Sequence, residues 1–224
     1  MTIAVLFDLE DTLIQTPWSN WQHVLEFRRK TREQLMDLGI PHSVLEGIER
    51  ATIMRNKAVE HIEKNFTRVE AEKFHQELSK FFSQYELESA KKSKLLPETI
   101  PTLEKLRKIG ARIGLVTNTS SKAVEIAFQL HGLEKYFDIV VTREKVKKLK
   151  PDPEGVLLAA KTLGVKRFCM VGDLVFDVLA ARNANGVSIF VKGSFQEKID
   201  PPADYIVRSL SEIPAIVKRE MEKS

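Results

Sequence analysis

Four short stretches of the chain concentrate side chains that could do chemistry on a phosphate. Asp8-Leu-Glu10-Asp11-Thr12 and Gly172-Asp173-Leu-Val-Phe-Asp177 supply carboxylates, Thr117-Asn118-Thr119-Ser120 supplies hydroxyls and amides, and Lys150-Pro-Asp-Pro153 supplies a cation. If the two acidic stretches meet, their carboxylates repel unless a cation lies between them. Oxygen donors without His or Cys suit Mg²⁺. Hydroxyls and free backbone N–H groups just ahead of a helix make a seat for a phosphate. Carboxylate nucleophile, divalent metal, phosphate seat and lysine are together the parts that phosphoryl transfer requires.

Elements that end at these residues must bring them together. Residues 3–7, Ile-Ala-Val-Leu-Phe, form a continuous apolar run that stops at Asp8, as expected of a strand buried on both faces of a parallel sheet. After Pro97 the chain repeats helix, glycine stop and apolar strand. Helices are expected over 100–109, 122–130, 154–163 and 176–184, and strands over 111–116, 137–141, 167–171, 187–191 and 205–207. This alternation predicts an α/β fold with a parallel sheet wrapped by helices and ligands at the carboxyl ends of the strands.

Between Trp18 and about Ser93 no strand-like run occurs, so residues 15–96 read as an all-helical insertion and residues 1–14 with 97–224 as the sheet-containing core. A first helix is expected to stop at Gly39. A second would be capped by Ser43 with Glu46 and carry Val59, Ile62 and Phe66 on its apolar stripe. A third would be capped by Thr67 with Glu70 and carry Phe74, Leu78, Phe81, Phe82 and Tyr85.

Composition narrows the function classes. The 224 residues include 43% hydrophobic and 29% charged side chains, enough apolar material for a core. Lys and Arg number 35 against 31 acidic residues, a net +4 that is scattered rather than striped, so a nucleic-acid partner is not expected. Cys169, the one cysteine, excludes a disulfide framework within the chain and fits a reducing compartment. No run approaches the ~20 apolar residues of a membrane span. The N-terminal residues show no basic leader, so a cytoplasmic protein is expected, as monomer or homodimer.

The ordered set of motifs resembles the haloacid dehalogenase-like superfamily, in its subgroup of phosphatases with a helical cap inserted after the first motif. Phe7-Asp-Leu-Glu-Asp-Thr-Leu13, Leu115-Val-Thr-Asn118, Lys150-Pro-Asp-Pro153 and Val171-Gly-Asp173 with Asp177 are similar to its four motifs, in order. The resemblance implies a Rossmann-like core with an all-helical cap and a Mg²⁺-dependent phosphatase acting on a small phosphorylated metabolite through an aspartyl-phosphate. It implies that Asp8 is nucleophile and metal ligand, that Glu10 lends the metal its backbone carbonyl, and that Asp173 completes the protein ligands. Thr117 would bind the phosphoryl group by its hydroxyl and Asn118 by its N–H; Lys150 would neutralise Asp8 and the phosphoryl oxygens, with Asp177 standing behind them. The family usually carries Asp two residues after the nucleophile, as general acid and base; this chain has Glu10, with one more methylene and about 1.5 Å of extra reach.

Other readings bear on the same residues. A binding or regulatory protein with vestigial activity would account for Glu10. A metal-independent dehalogenase would have altered metal carboxylates, whereas Asp173 is present. His23, His42, His61 and His75 lack metal-ligand spacing and read as solvent-exposed or packing residues, and Trp18 and Trp21 as hinge packing with a possible substrate face.

Overall fold

In the computed structural model, residues 2–17, 21–192 and 201–223 are described; Trp18 lies outside the described residues. Strand β1 (Ile3–Phe7) is buried throughout. After the Asp8 stretch the chain leaves through β2 (Ile14–Gln15), passes through α1 (Trp21–Asp37), α2 (His42–Leu45), α3 (Ala51–Asn65) and α4 (Arg68–Lys92), and returns through β3 (Lys94–Leu95). The crossings β2 and β3 pair antiparallel, Ile14 opposite Leu95. There follow α5 (Thr99–Lys108), β4 (Arg112–Val116), α6 (Ser121–His131), β5 (Ile139–Val141), α7 (Glu154–Thr162), β6 (Arg167–Gly172), α8 (Val175–Asn183), β7 (Val187–Val191), β8 (Tyr205–Val207) and α9 (Ile213–Glu222).

The main sheet has the order β5-β4-β1-β6-β7-β8, and every neighbouring pair is parallel. Alternation along β1 divides its side chains between two cores. Ile3, Val5 and Phe7 pack with residues of α5, α6 and α9, and Ala4 and Leu6 with residues of α7 and α8. The register matters most for the site. Phe7 pairs with Leu115 on one side and Val171 on the other, so β1, β4 and β6 end almost level and their following residues emerge on one edge.

The helical insertion has its own core, in which Leu35, Met54, Ile62, Phe74, Leu78 and Phe82 are buried together. The Thr67–Glu70 box forms as the sequence predicts: the Glu70 N–H reaches the Thr67 hydroxyl, and the Glu70 carboxylate accepts from the Thr67 N–H at 2.8 Å. The second helix differs from expectation. Ser43 and Glu46 cap nothing; the short α2 ends, Gly47 takes φ +70°, and α3 starts only at Ala51 with Arg50 at its N-cap. A glycine in the left-handed region breaks a helix at little cost, and the chain uses it to turn a corner. Phe66 falls at the C-cap of α3, exposed, rather than on its buried stripe. Beyond the last expected strand, 205–207, the chain adds α9, whose N-terminal proline suits a first turn.

Candidate active site

The strand ends bring the acidic stretches together. Asp8 follows β1 and is anchored by its N–H to the Val171 carbonyl at 2.9 Å. Asp173 follows β6, and Asp177 lies in the first turn of α8, its carboxylate accepting the Leu174 N–H at 3.1 Å. Gly172 is required where it stands, because a Cβ there would overlap the Asp177 carboxyl. Carboxylate oxygens of Asp8, Asp173 and Asp177 all lie within 4.8 Å of one another, and all three residues are buried. Lys150 reaches in just before α7, its Nζ 2.8 Å from Asp8 Oδ1 and 2.6 Å from Asp177 Oδ1.

Charge balance decides what this cluster can hold. Burial would lower the proton affinity of the Lys150 amine, but the carboxylates of Asp177 and Asp8 outweigh it and raise it above the usual lysine value. Burial raises Asp177 to about 6 against the pull of Lys150. Asp173 is pushed well above the carboxylate range by burial and then by Asp177 and Asp8, while it accepts a hydrogen bond from a neutral group, the Thr12 hydroxyl, at 2.9 Å. One ammonium against three buried carboxylates leaves negative charge uncompensated. A hard divalent cation fits this all-oxygen donor set.

The loop after β4 forms the adjoining wall. The Thr117 N–H is held by Val141 at 3.0 Å, and its hydroxyl accepts the Thr119 N–H at 3.2 Å. Asn118 pairs with the Lys150 backbone twice, accepting its N–H at 2.9 Å and donating to its carbonyl at 3.2 Å. The Thr119 hydroxyl donates to Glu10 Oε2 at 3.0 Å. Burial, then the nearby charges of Glu86 and Asp8, push the Glu10 carboxyl up to about 8. Glu86 comes from α4: it accepts the Ser120 N–H at 3.0 Å and forms a buried ion pair with Arg143.

Asp8, Glu10, Thr117, Asn118, Lys150, Asp173 and Asp177, all singled out from sequence, line one cavity of ≈ 210 Å³. The opposite wall comes from the insertion: Val24, Phe27 and Arg28 of α1, and Arg50 and Thr52 at the start of α3. Thr119 belongs to the hydroxyl stretch expected to seat a phosphate, and its place beside Glu10 adds to that expectation. Thr12 lies within the first acidic motif, where its hydroxyl is visible in the sequence. Arg28 and Arg50 carried no signal, because only the packing of the insertion aims them at the strand ends. Cys169 is buried in β6, where burial pushes its thiol up to about 12, so it is inert packing. No His joins an acidic cluster able to hold a metal among the described residues, and none of their helices is long and apolar enough to cross a membrane.

Known proteins resemble this chain in sequence and fold. The chain is 30% identical over 226 residues to pyrophosphatase PpaX of Bacillus velezensis, covering 94% of each protein. Its fold superposes on the crystal structure of a HAD phosphatase from Thermococcus onnurineus with TM-score 0.59 and 26% identity, over 96% of this chain and 98% of that one. A HAD hydrolase of family IA, variant 3, from Entamoeba histolytica matches in fold with TM-score 0.65 at 22% identity, over 100% of both chains. The family model of haloacid dehalogenase-like hydrolases matches residues 4–185. With that match laid over the strand-end cluster of Asp8, Lys150, Asp173 and Asp177, the chain belongs to the haloacid dehalogenase-like hydrolase family.

Proposed function

We propose that the protein is a Mg²⁺-dependent phosphatase that works through an aspartyl-phosphate on Asp8. The observation that carries this reading is the buried Asp8, tied to Lys150 and crowded by Asp173 and Asp177, directly beside the hydroxyl and amide groups of the loop after β4. Asp8 attacks phosphorus, and a new P–O bond forms as the bond to the leaving oxygen breaks. Glu10, in its acid form, gives its proton to that oxygen. As a carboxylate it then takes a proton from water, which attacks the phosphorus of the acyl phosphate, releases inorganic phosphate and regenerates Asp8. Thr117 and Asn118 hold the phosphoryl oxygens, and Lys150 offsets their charge. Mg²⁺, held by Asp8, Asp173 and the backbone carbonyl of Glu10, would supply further neutralisation of the transferring group. Asp177 keeps Lys150 in place.

The substrate is a small phosphate compound bearing a second anionic group. The cavity of ≈ 210 Å³ is lined on the insertion side by Arg28 and Arg50, two guanidiniums suited to a planar or tetrahedral oxyanion beyond the phosphoryl group. The relative named as a pyrophosphatase supports the same class. The helical insertion, residues 15–96, closes over the bound substrate as a lid and keeps bulk water from the acyl phosphate.

A panel of pyrophosphate, phosphoglycolate, sugar phosphates and p-nitrophenyl phosphate tests the reading. Substrates with the second anion should have the highest kcat/KM. Arg50→Ala should raise their KM by ~10-fold while moving that of p-nitrophenyl phosphate little, since a lost charge-assisted bond is worth roughly 1.5–3 kcal/mol. Equal KM changes across the panel would contradict the assignment. Chelation should abolish turnover and added Mg²⁺ restore it. Calorimetry should show Mg²⁺ affinity falling by ~10-fold or more in Asp173→Ala, and equal affinity in the two proteins would remove Asp173 from the metal site.

A further inference from the structure

Lys150 must sit with its amine between two carboxylates, so the backbone that carries it is as important as the side chain. Two asparagines grip that backbone from opposite sides. Asn118, in the core, takes both backbone groups of Lys150. Asn56, on α3 of the insertion, does the same to the preceding residue: its Oδ1 accepts the Leu149 N–H at 3.1 Å and its Nδ2 donates to the Leu149 carbonyl at 2.9 Å. The N–H groups just before these, of Lys147 and Lys148, go to the Glu154 carboxylate at the start of α7. In this run, therefore, the Leu149 N–H takes its partner from the insertion and the others take theirs from the core.

We propose that Asn56 is a positioning residue of the insertion, which makes the placement of Lys150 depend on the insertion being docked against the core. Leu149 is 2% exposed with the insertion in place, so its N–H relies on Asn56 for a partner there. A buried donor without a partner drives the backbone to move, and Leu149 is bonded directly to Lys150. Arg55, itself buried, steadies the grip by donating to Asn56 Oδ1 at 3.3 Å. The seam also holds an ion pair that does not touch this backbone, Lys148 Nζ to Glu60 at 3.2 Å, which serves as an internal control. The inference rests on the reading that Lys150 serves phosphoryl transfer.

The test measures kcat and KM of the Mg²⁺-loaded wild type, Asn56→Ala, Asn56→Asp, Glu60→Ala, Lys150→Met and the Asn56→Ala/Lys150→Met double variant on p-nitrophenyl phosphate. Misplacement of a catalytic group by ~1 Å can cost ~100-fold, so Asn56→Ala should lower kcat by ~10-fold or more, with a smaller change in KM. Asn56→Asp keeps the acceptor for the Leu149 N–H and should recover part of the loss. Glu60→Ala should change kcat by less than about twofold, as a partly exposed ion pair does. Because Asn56 acts through Lys150, the double variant should be no slower than Lys150→Met alone. Hydrogen exchange provides a readout independent of turnover: Asn56→Ala should speed exchange at the Leu149 amide and leave Lys147 and Lys148 unchanged. Wild-type kcat in Asn56→Ala, multiplying losses in the double variant, an equal loss in Glu60→Ala, or an unchanged Leu149 amide would each overturn the inference while leaving the phosphatase reading in place. Wild-type turnover by Lys150→Met would instead defeat that reading, and the inference with it.

Discussion

Asp8→Asn is expected to lower turnover by ~10³-fold or more while the protein remains folded, a barrier increase of about 4 kcal/mol. The amide keeps the shape of the side chain and can still face Lys150, but it removes the attacking charge and one of the oxygens proposed for the cation. Lys150 lies 2.8 Å from Asp8 and 2.6 Å from Asp177, so its ammonium keeps one carboxylate partner after the change. The fold should tolerate this substitution, because burying one charge fewer relieves the crowding that raises Asp173 and Asp177. Near-ultraviolet circular dichroism and thermal unfolding check the fold, and steady-state assays check the chemistry. A soluble, folded Asp8→Asn protein with most of its activity would contradict the mechanism.

Glu10→Gln carries the second large effect, ~10²- to 10⁴-fold in turnover, with Mg²⁺ binding nearly unchanged because the metal is proposed to use the backbone carbonyl. The sign of its pH dependence follows from the environment. Burial, Glu86 and Asp8 raise the Glu10 carboxyl to about 8, so it is protonated at neutral pH and can donate. Activity that needs the acid form should fall as pH rises through about 8, and Glu10→Gln should lose that limb of the profile. The longer side chain also has a defined seat, since Thr119 donates to Glu10 Oε2 at 3.0 Å. Glu10→Asp would withdraw the carboxyl from Thr119, and it should therefore be slower than wild type. A faster Glu10→Asp would mean that Glu10 weakens the site instead of fitting it. Equal, poor turnover by wild type and Glu10→Gln on every ester would favour a binding or regulatory protein.

The alternation of strands and helices along the chain and the positions of the four motifs could be read from sequence because each rests on short-range physics. A fully buried strand such as β1 must be apolar at every position, and the helices between strands end at glycines such as Gly110, Gly132 and Gly164, all at positive φ. Asn185 takes the same conformation at φ 55°, as its tolerance of the left-handed region allows. Level strand ends then place Asp8, Thr117 and Asp173 on one edge without further information. The insertion was less legible. Its break at Gly47 separates α2 from α3, whereas the apolar spacing alone suggested one helix capped by Ser43. Arg28, Arg50, Asn56 and Glu86 gained their places only through tertiary packing. On a helix surface Asn56 sits between Arg55 and Lys57 and looks like any solvated residue until Leu149 is brought against it.

Rapid acid quench of the wild type during turnover with Mg²⁺, followed by peptide mass spectrometry, is the most direct test of the central claim, that Asp8 becomes covalently phosphorylated. The peptide containing Asp8 should gain the mass of one phosphoryl group, the modification should be cleaved by hydroxylamine as an acyl phosphate is, and on p-nitrophenyl phosphate, whose leaving group needs no proton, Glu10→Gln should accumulate more of it, because dephosphorylation loses its base. Turnover with no phosphoryl group on Asp8 in either protein, or with the label on another residue, would contradict the account.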